Sequence, residues 1–210
     1  MGQPQNNIAD QHPALVGFEK INRYWDKTRN TWGAKLLPGE YYVTIHDEVI
    51  VTVLGSCISA CIRDRKLGVG GMNHFMLPQS GSDPSSFGGA AERYGNVAME
   101  HLINTILKQG GRRENLEAKI FGGGKIIVNM TDVGSRNIEF VREYLDTEKI
   151  RVESEDVGDL YPRKVAYFPA SGRAQMKRLR SLHNDTVVQR ERDYQKHIKK
   201  EPDGGDVELF

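Results

Sequence analysis

Cys57 and His74 are the two side chains best suited to chemistry in this chain, and seventeen positions separate them. A thiolate is a strong nucleophile, and a neighbouring imidazole can generate it by taking the thiol proton. Cys57 follows Gly55-Ser56, a turn at which backbone N–H groups of Ser56 and Cys57 can be left free to face an oxyanion. Nucleophile, base and oxyanion donors together make acyl transfer.

Two strands must bring the pair together. Val49 to Leu54 is apolar and β-branched, the pattern of a buried strand, and Gly55-Ser56 ends it. Ile58 to Arg63 alternates, with Ile58, Ala60 and Ile62 on one side and Ser59, Cys61 and Arg63 on the other. Val69 to Leu77 resumes a strand pattern. A two-residue turn centred on Arg65-Lys66 sets Asp64 opposite Leu67 and, counting outward, Cys57 opposite His74. Directly opposed residues share a face, with Cβ atoms about 4.5–5.5 Å apart. A slip of one residue would send the two side chains to opposite faces. The same residues also admit a plain structural reading. A free cysteine packs as a small hydrophobe, and a strand histidine can be a hydrogen-bonded core residue.

The run Leu54-Gly55-Ser56-Cys57, with Cys61, Asp64, Gly70-Gly71, His74 and Met76-Leu77-Pro78, resembles the CheD-type chemoreceptor glutamine deamidases. Later matches occur in the right order: Phe121-Gly122-Gly123, Gly134 with Arg136-Asn137, and Phe168-Pro169 with Ser171-Gly172-Arg173. The resemblance covers about Tyr41 to Leu179. It implies Cys57 as nucleophile and His74 as base. It also implies a threonine as third member, six positions before the cysteine, where this chain has Val51. Thr52 stands one residue closer. Strand neighbours face opposite sides, so Thr52 is a candidate that the resemblance alone does not assign.

Composition sets limits on the alternatives. The chain has 210 residues, 29 basic and 28 acidic side chains, and a formal charge of +1. That balance gives no argument for nucleic acid or a membrane as partner. No stretch approaches the roughly 18 consecutive apolar residues of a membrane span, and the first residues lack the pattern of a secretory signal. Cys57 and Cys61 are the only cysteines, which fits a reducing cytosol and a cytoplasmic location. Four residues of extended strand span roughly 13 Å, beyond the disulfide limit of about 7 Å. Cys57 and Cys61 with His74 give three zinc ligands and no obvious fourth, so no metal is expected.

The remaining chain divides into an N-terminal extension over 1–40, a catalytic domain over 41–180 and a charged C-terminal tail over 181–210. In the extension, Leu15, Phe18, Ile21 and Trp25 approach helical spacing, so Ala14 to Trp25 is expected as an amphipathic helix, and Gly33 to Gly39 as a linker. Tyr41 to Ile45 alternates as a strand. The stretch 79–89, rich in Ser, Gly and Pro, reads as a loop. Ala90 to Gln109 has a broad apolar helical face, closed by Gly110-Gly111. His101 in that helix reads as a surface residue. Gly122-Gly123-Gly124-Lys125 invites a phosphate-loop reading, but Ile126 stands where the hydroxyl should be. Close backbone approach near the Cys57–His74 site is the better reading. Ser135 can cap a helix running to about Leu145. Ile150–Asp156, Tyr161–Phe168 and Ala174–Leu179 read as strands. From Ser181 the chain is polar and charged, a solvated tail.

Many short strands around two good helices argue α+β, with mostly antiparallel pairing. The resemblance implies a β-sandwich-like core flanked by helices. It implies an amidohydrolase that converts glutamines of methyl-accepting chemotaxis receptors to glutamate through a Cys57 thioester, without a cofactor, and a CheC-type phosphatase as a further partner. Some relatives also cleave the glutamyl methyl ester. Two other classes fit the sequence: a regulator that binds such partners with little catalysis, and another acyl-transfer enzyme such as a cysteine protease or esterase.

Overall fold

The computed structural model describes residues 12–78, 90–126, 133–179 and 185–198. The strands are β1 (Asn22–Asp26), β2 (Thr31–Lys35), β3 (Tyr41–Thr44), β4 (Val49–Leu54), β5 (Ile58–Asp64), β6 (Gly70–Asn73), β7 (Leu116–Gly122), β8 (Arg151–Val157), β9 (Arg163–Phe168) and β10 (Arg173–Arg178). The helices are α1 (Ala90–Lys108), α2 (Val133–Thr147) and α3 (Asp185–Ile198). One sheet runs β1-β2-β4-β9-β10 and the other β3-β6-β5-β7-β8. Pairing is antiparallel except for β2 with β4 and β7 with β8. The architecture is the α+β, mostly antiparallel one that the pattern implies.

The second sheet is covered on both faces. Helices α1 and α2 pack on its outer side, α1 against β3, β5 and β6, α2 against β5, β7 and β8. Hence Ile58 through Ile62 are buried without a break, although their sequence alternates. One continuous apolar core links Ile50, Leu54, Val165 and Tyr167 of the first sheet with Cys61, Met72 and Ile120 of the second. On the far side of β4, Val49 and Val51 join Ala166 and Phe168 in a separate cluster.

Two expectations for the N-terminal part are corrected. Residues 14–25 do not form a helix, and residues 33–39 are not simply a linker. Gly17 adopts φ +95°, a left-handed conformation incompatible with continuing a right-handed helix. The Asp26 carboxylate accepts N–H bonds from Thr28 (3.0 Å) and Arg29 (3.1 Å), turning the chain into a β1–β2 hairpin. Trp25 and Trp32 meet edge to face across it at 5.6 Å, a favourable cross-strand pair. Strand β2 then runs parallel to β4. The four apolar residues have helical spacing, but only Trp25 of them lies in a regular element, and pairing with β2 sets that element as a strand.

The β5–β6 turn also differs from the expected one. Asp64 N–H donates to Val69 O (2.9 Å), and the Asp64 carboxylate accepts from Lys66 N (2.8 Å) and Leu67 N (2.9 Å). The loop is therefore four residues, 65–68, with Gly68 at φ +81°. Cys61 faces Met72 and Ile58 faces Phe75, so the register is displaced by two from the expected one. A displacement of two preserves the face of every side chain.

Helix α2 begins at Val133, two residues before the expected cap at Ser135. The loop expected over 79–89 lies outside the described residues. The tail expected to be solvated contains α3, whose Glu191, Gln195 and Ile198 are buried. No helix among the described residues is long and apolar enough to cross a membrane.

Candidate active site

Strand β4 belongs to one sheet and β5 to the other, so the turn Gly55-Ser56-Cys57 crosses between them. All three of its carbonyls are held. Gly124 N–H donates to Gly55 O (2.7 Å), the Asn137 Nδ2 amide to Ser56 O (2.8 Å), and Gly123 N–H to Cys57 O (2.7 Å). Asn137 Oδ1 in turn accepts from Leu77 N (2.9 Å). The glycine run after β7 is thus the close backbone approach that the sequence suggests. Gly122 sits at φ +112°, and a Cβ there would collide with the Cys57 carbonyl. No side chain other than hydrogen fits.

With their carbonyls turned one way, the Gly55, Ser56 and Cys57 amides converge the other way. Successive N–H groups so arranged form an anion-binding concavity. In this structure it holds the carboxylate of Glu191 from α3. Oε1 accepts from Gly55 N (2.7 Å) and Cys57 N (3.2 Å), and Oε2 from Ser56 N (2.8 Å) and Ser56 Oγ (2.6 Å). A Cβ on Gly55 would lie 2.8 Å from both carboxylate oxygens.

His74 lies just past the end of β6, fixed by its N–H to Glu40 O (2.9 Å) and by Gly39 N–H to its own carbonyl (2.7 Å). Its Nδ1 is 2.8 Å from Thr52 Oγ1, and that hydroxyl is also 3.0 Å from Leu36 O. A carbonyl only accepts, so both contacts are satisfied when Thr52 donates to Leu36 O and accepts from Nδ1–H. This places the proton on Nδ1 and the lone pair on Nε2. Nε2 is buried and has no hydrogen-bond partner among the described residues. Candidate donor atoms of Cys57, His74 and Glu191 all lie within 4.8 Å of one another.

The structure therefore brings Cys57, His74 and Thr52 together with the Ser56 and Cys57 amides. Val51 faces away, into the Val49, Ala166 and Phe168 cluster. Cys61 is a buried free thiol on β5, with Tyr167 nearby and its pKa pushed up by burial. The sequence reading missed the Gly55 amide, the tethering by Asn137, and Glu191. A buried asparagine has no periodic signature. Glu191 stands in a run of charges that masks it.

Electrostatics here favour neutral partners. Burial, then the Glu191 charge and its hydrogen bond, raise the Cys57 thiol well above its ordinary pKa. Burial, then the Arg190 charge, lower His74 to about 3. With Glu191 in place the pair is thiol and neutral imidazole, not an ion pair. Cys57, His74 and Glu191 are near enough to ligate a metal, but four N–H and O–H donors already take up the acceptor capacity of the carboxylate. Nothing in the arrangement calls for a metal.

Comparison with known proteins shows the family. The family described as CheD chemotactic sensory transduction matches residues 76–178, a span that starts just after His74. Full-length similarity covers the rest. A probable chemoreceptor glutamine deamidase CheD of Halorhodospira halophila is 57% identical, over 100% of this chain and 99% of its own. Another so named, of Hahella chejuensis, is 54% identical over 97% of this chain and 100% of its own. One of Janthinobacterium is 56% identical over 90% and 94%. A chain so similar along its whole length, with a cysteine, an imidazole and an amide concavity at one point, belongs to the CheD family.

Proposed function

We propose that this protein hydrolyses the side-chain amides of glutamines on methyl-accepting chemotaxis receptors, giving glutamate and ammonia through a thioester on Cys57. The observation that carries the reading is the Gly55–Cys57 amide concavity beside a thiol and an imidazole whose unprotonated nitrogen is free. His74 Nε2 takes the Cys57 proton. The thiolate adds to the amide carbon, and the oxygen gains negative charge within reach of the amides, where fixed donors stabilise the transition state most. Collapse breaks the C–N bond, and the imidazolium protonates the departing nitrogen. Water, deprotonated by His74, then cleaves the thioester. The product is a carboxylate in place of a neutral amide. On a receptor helix bundle this changes the charge packing, and so the signalling state, during adaptation.

Thr52 is the third member in this reading. It orients the imidazole and fixes its tautomer. The test is ammonia release from a purified receptor cytoplasmic fragment. Wild type and Cys61→Ala release it, Cys57→Ala does not, and His74→Ala is slower by at least about a hundredfold. No ammonia from wild type or from a Glu191→Ala variant, with cellular function insensitive to thiol alkylation, would move the reading to a regulator that binds receptors or a CheC-type phosphatase.

A further inference from the structure

The proposed function leaves one feature unused: the amide concavity is filled by a side chain of the protein itself. Glu191 is a glutamate, the residue that glutamine deamidation produces, and it arrives on a helix. Its carboxylate is accepted in full. Both oxygens take two donors each, all from the nucleophile turn. The rest of α3 follows the same face. Gln195 and Ile198, four and seven residues on, are buried, while Val187 and Val188 are half-buried. Tyr194 lies over Gly39, where a Cβ would come within 3.1 Å of its ring, and its hydroxyl bonds to Tyr94 of α1. A helix without a continuous apolar stripe is held here chiefly by the Glu191 carboxylate, since the buried Gln195 Nε2 finds no hydrogen-bond partner among the described residues.

We infer that α3 is a resident stand-in for the substrate helix: Glu191 sits as the product side chain would, marks where the receptor glutamine docks, and closes the site until α3 is displaced. This rests on the deamidase reading and adds an orientation to it. Oε1, between the Gly55 and Cys57 amides, corresponds to the substrate carbonyl oxygen that becomes the oxyanion. Oε2 corresponds to the nitrogen that leaves and to the water oxygen that replaces it. The Ser56 hydroxyl can accept a hydrogen bond from an amide –NH2 there, while the Ser56 N–H, which also points at that position, gains an acceptor only when the nitrogen becomes tetrahedral or the water oxygen replaces it; this makes Ser56 a positioning residue for amide substrates. The face of α3 also states what the substrate helix must offer. It carries a glutamine at the central position and uncharged side chains four and seven residues further on, because those positions are buried.

The test converts the stand-in into a substrate. In full-length Glu191→Gln the introduced amide lies at Cys57. Attack by the thiolate on its carbon expels ammonia, and water then cleaves the thioester, restoring glutamate. Peptide mass spectrometry of the purified chain is expected to find glutamate at position 191, and to find glutamine there when Cys57→Ala is added. A glutamine that persists at position 191, in a preparation that still releases ammonia from a receptor fragment, would overturn the stand-in reading and leave the deamidase standing. The same persistence with no ammonia from any substrate would sink both.

Closure has its own readout. Among the described residues, the titratable groups at the Cys57 thiol are His74 from the end of β6 and Glu191 from α3, with the Arg190 charge acting on His74. Removing the one negative charge by Glu191→Ala is expected to speed alkylation of Cys57 by iodoacetamide at least about tenfold, with the pH profile moved to lower pH. An unchanged rate and profile would overturn the closing role.

Discussion

The hydroxyl of Thr52 decides which nitrogen of His74 is basic. By giving its proton to Leu36 O it can only accept from Nδ1, and the lone pair is left on Nε2. Thr52→Val keeps the volume and loses both contacts, so turnover is expected to fall about ten- to a hundredfold, as for other residues that orient a functional imidazole. Thr52→Ser restores the oxygen and should recover most of the rate. Ammonia release measures both, and equal loss in the two variants would count against an orienting role. At this scale the sequence was informative about Cys57 and His74, because face is a matter of parity and the displaced turn moved the register by an even number. It was silent on Thr52 against Val51. The two differ by which side of β4 faces the other sheet, and only the position of β9 and the outer cluster fixes that.

Among the elements, the segment from β7 to α2 holds the nucleophile turn in shape. Asn137 spans from Ser56 O to Leu77 N, binding the Cys57 turn to the chain just after His74. Asn137→Ala strands a buried carbonyl and a buried amide. The expected cost is about 1–3 kcal/mol of stability, with a loss of turnover well beyond what that stability change explains, because the amides lose their common direction. Denaturant unfolding and ammonia release, compared on one preparation, separate the two effects. Most elements were legible from pattern: β3, β4, β5, β6, α1, β7, α2, β8, β9 and β10 fall within a few residues of their sequence signals. Those that were not share a cause. The β1–β2 hairpin exists because β4 offers an edge, and α3 because the nucleophile turn offers donors to a carboxylate. Neither condition is local to the segment that responds to it.

Across the whole molecule, a buried ion pair ties the N-terminal hairpin to the core. Arg23 of β1 bonds to Glu48, which also accepts from the Tyr42 hydroxyl at 2.7 Å. Glu48→Ala leaves a guanidinium buried without its charge partner, and a loss of about 3–5 kcal/mol is expected. Thermal unfolding followed by Trp25 and Trp32, which sit on that hairpin, checks it; a loss under about 1 kcal/mol would mean that the pair is relaxed by water. The crossing of the nucleophile turn from one sheet to the other has a wider consequence. Thr52 stands on one sheet and His74 at the end of a strand of the other, so their hydrogen bond is a caliper laid across the sandwich. Anything that lets the two halves slide, however far from Cys57, is read out first as an imidazole that no longer knows which proton to keep. Turnover in this protein is therefore a gauge of the spacing between its sheets, and it should fade while both sheets are still intact.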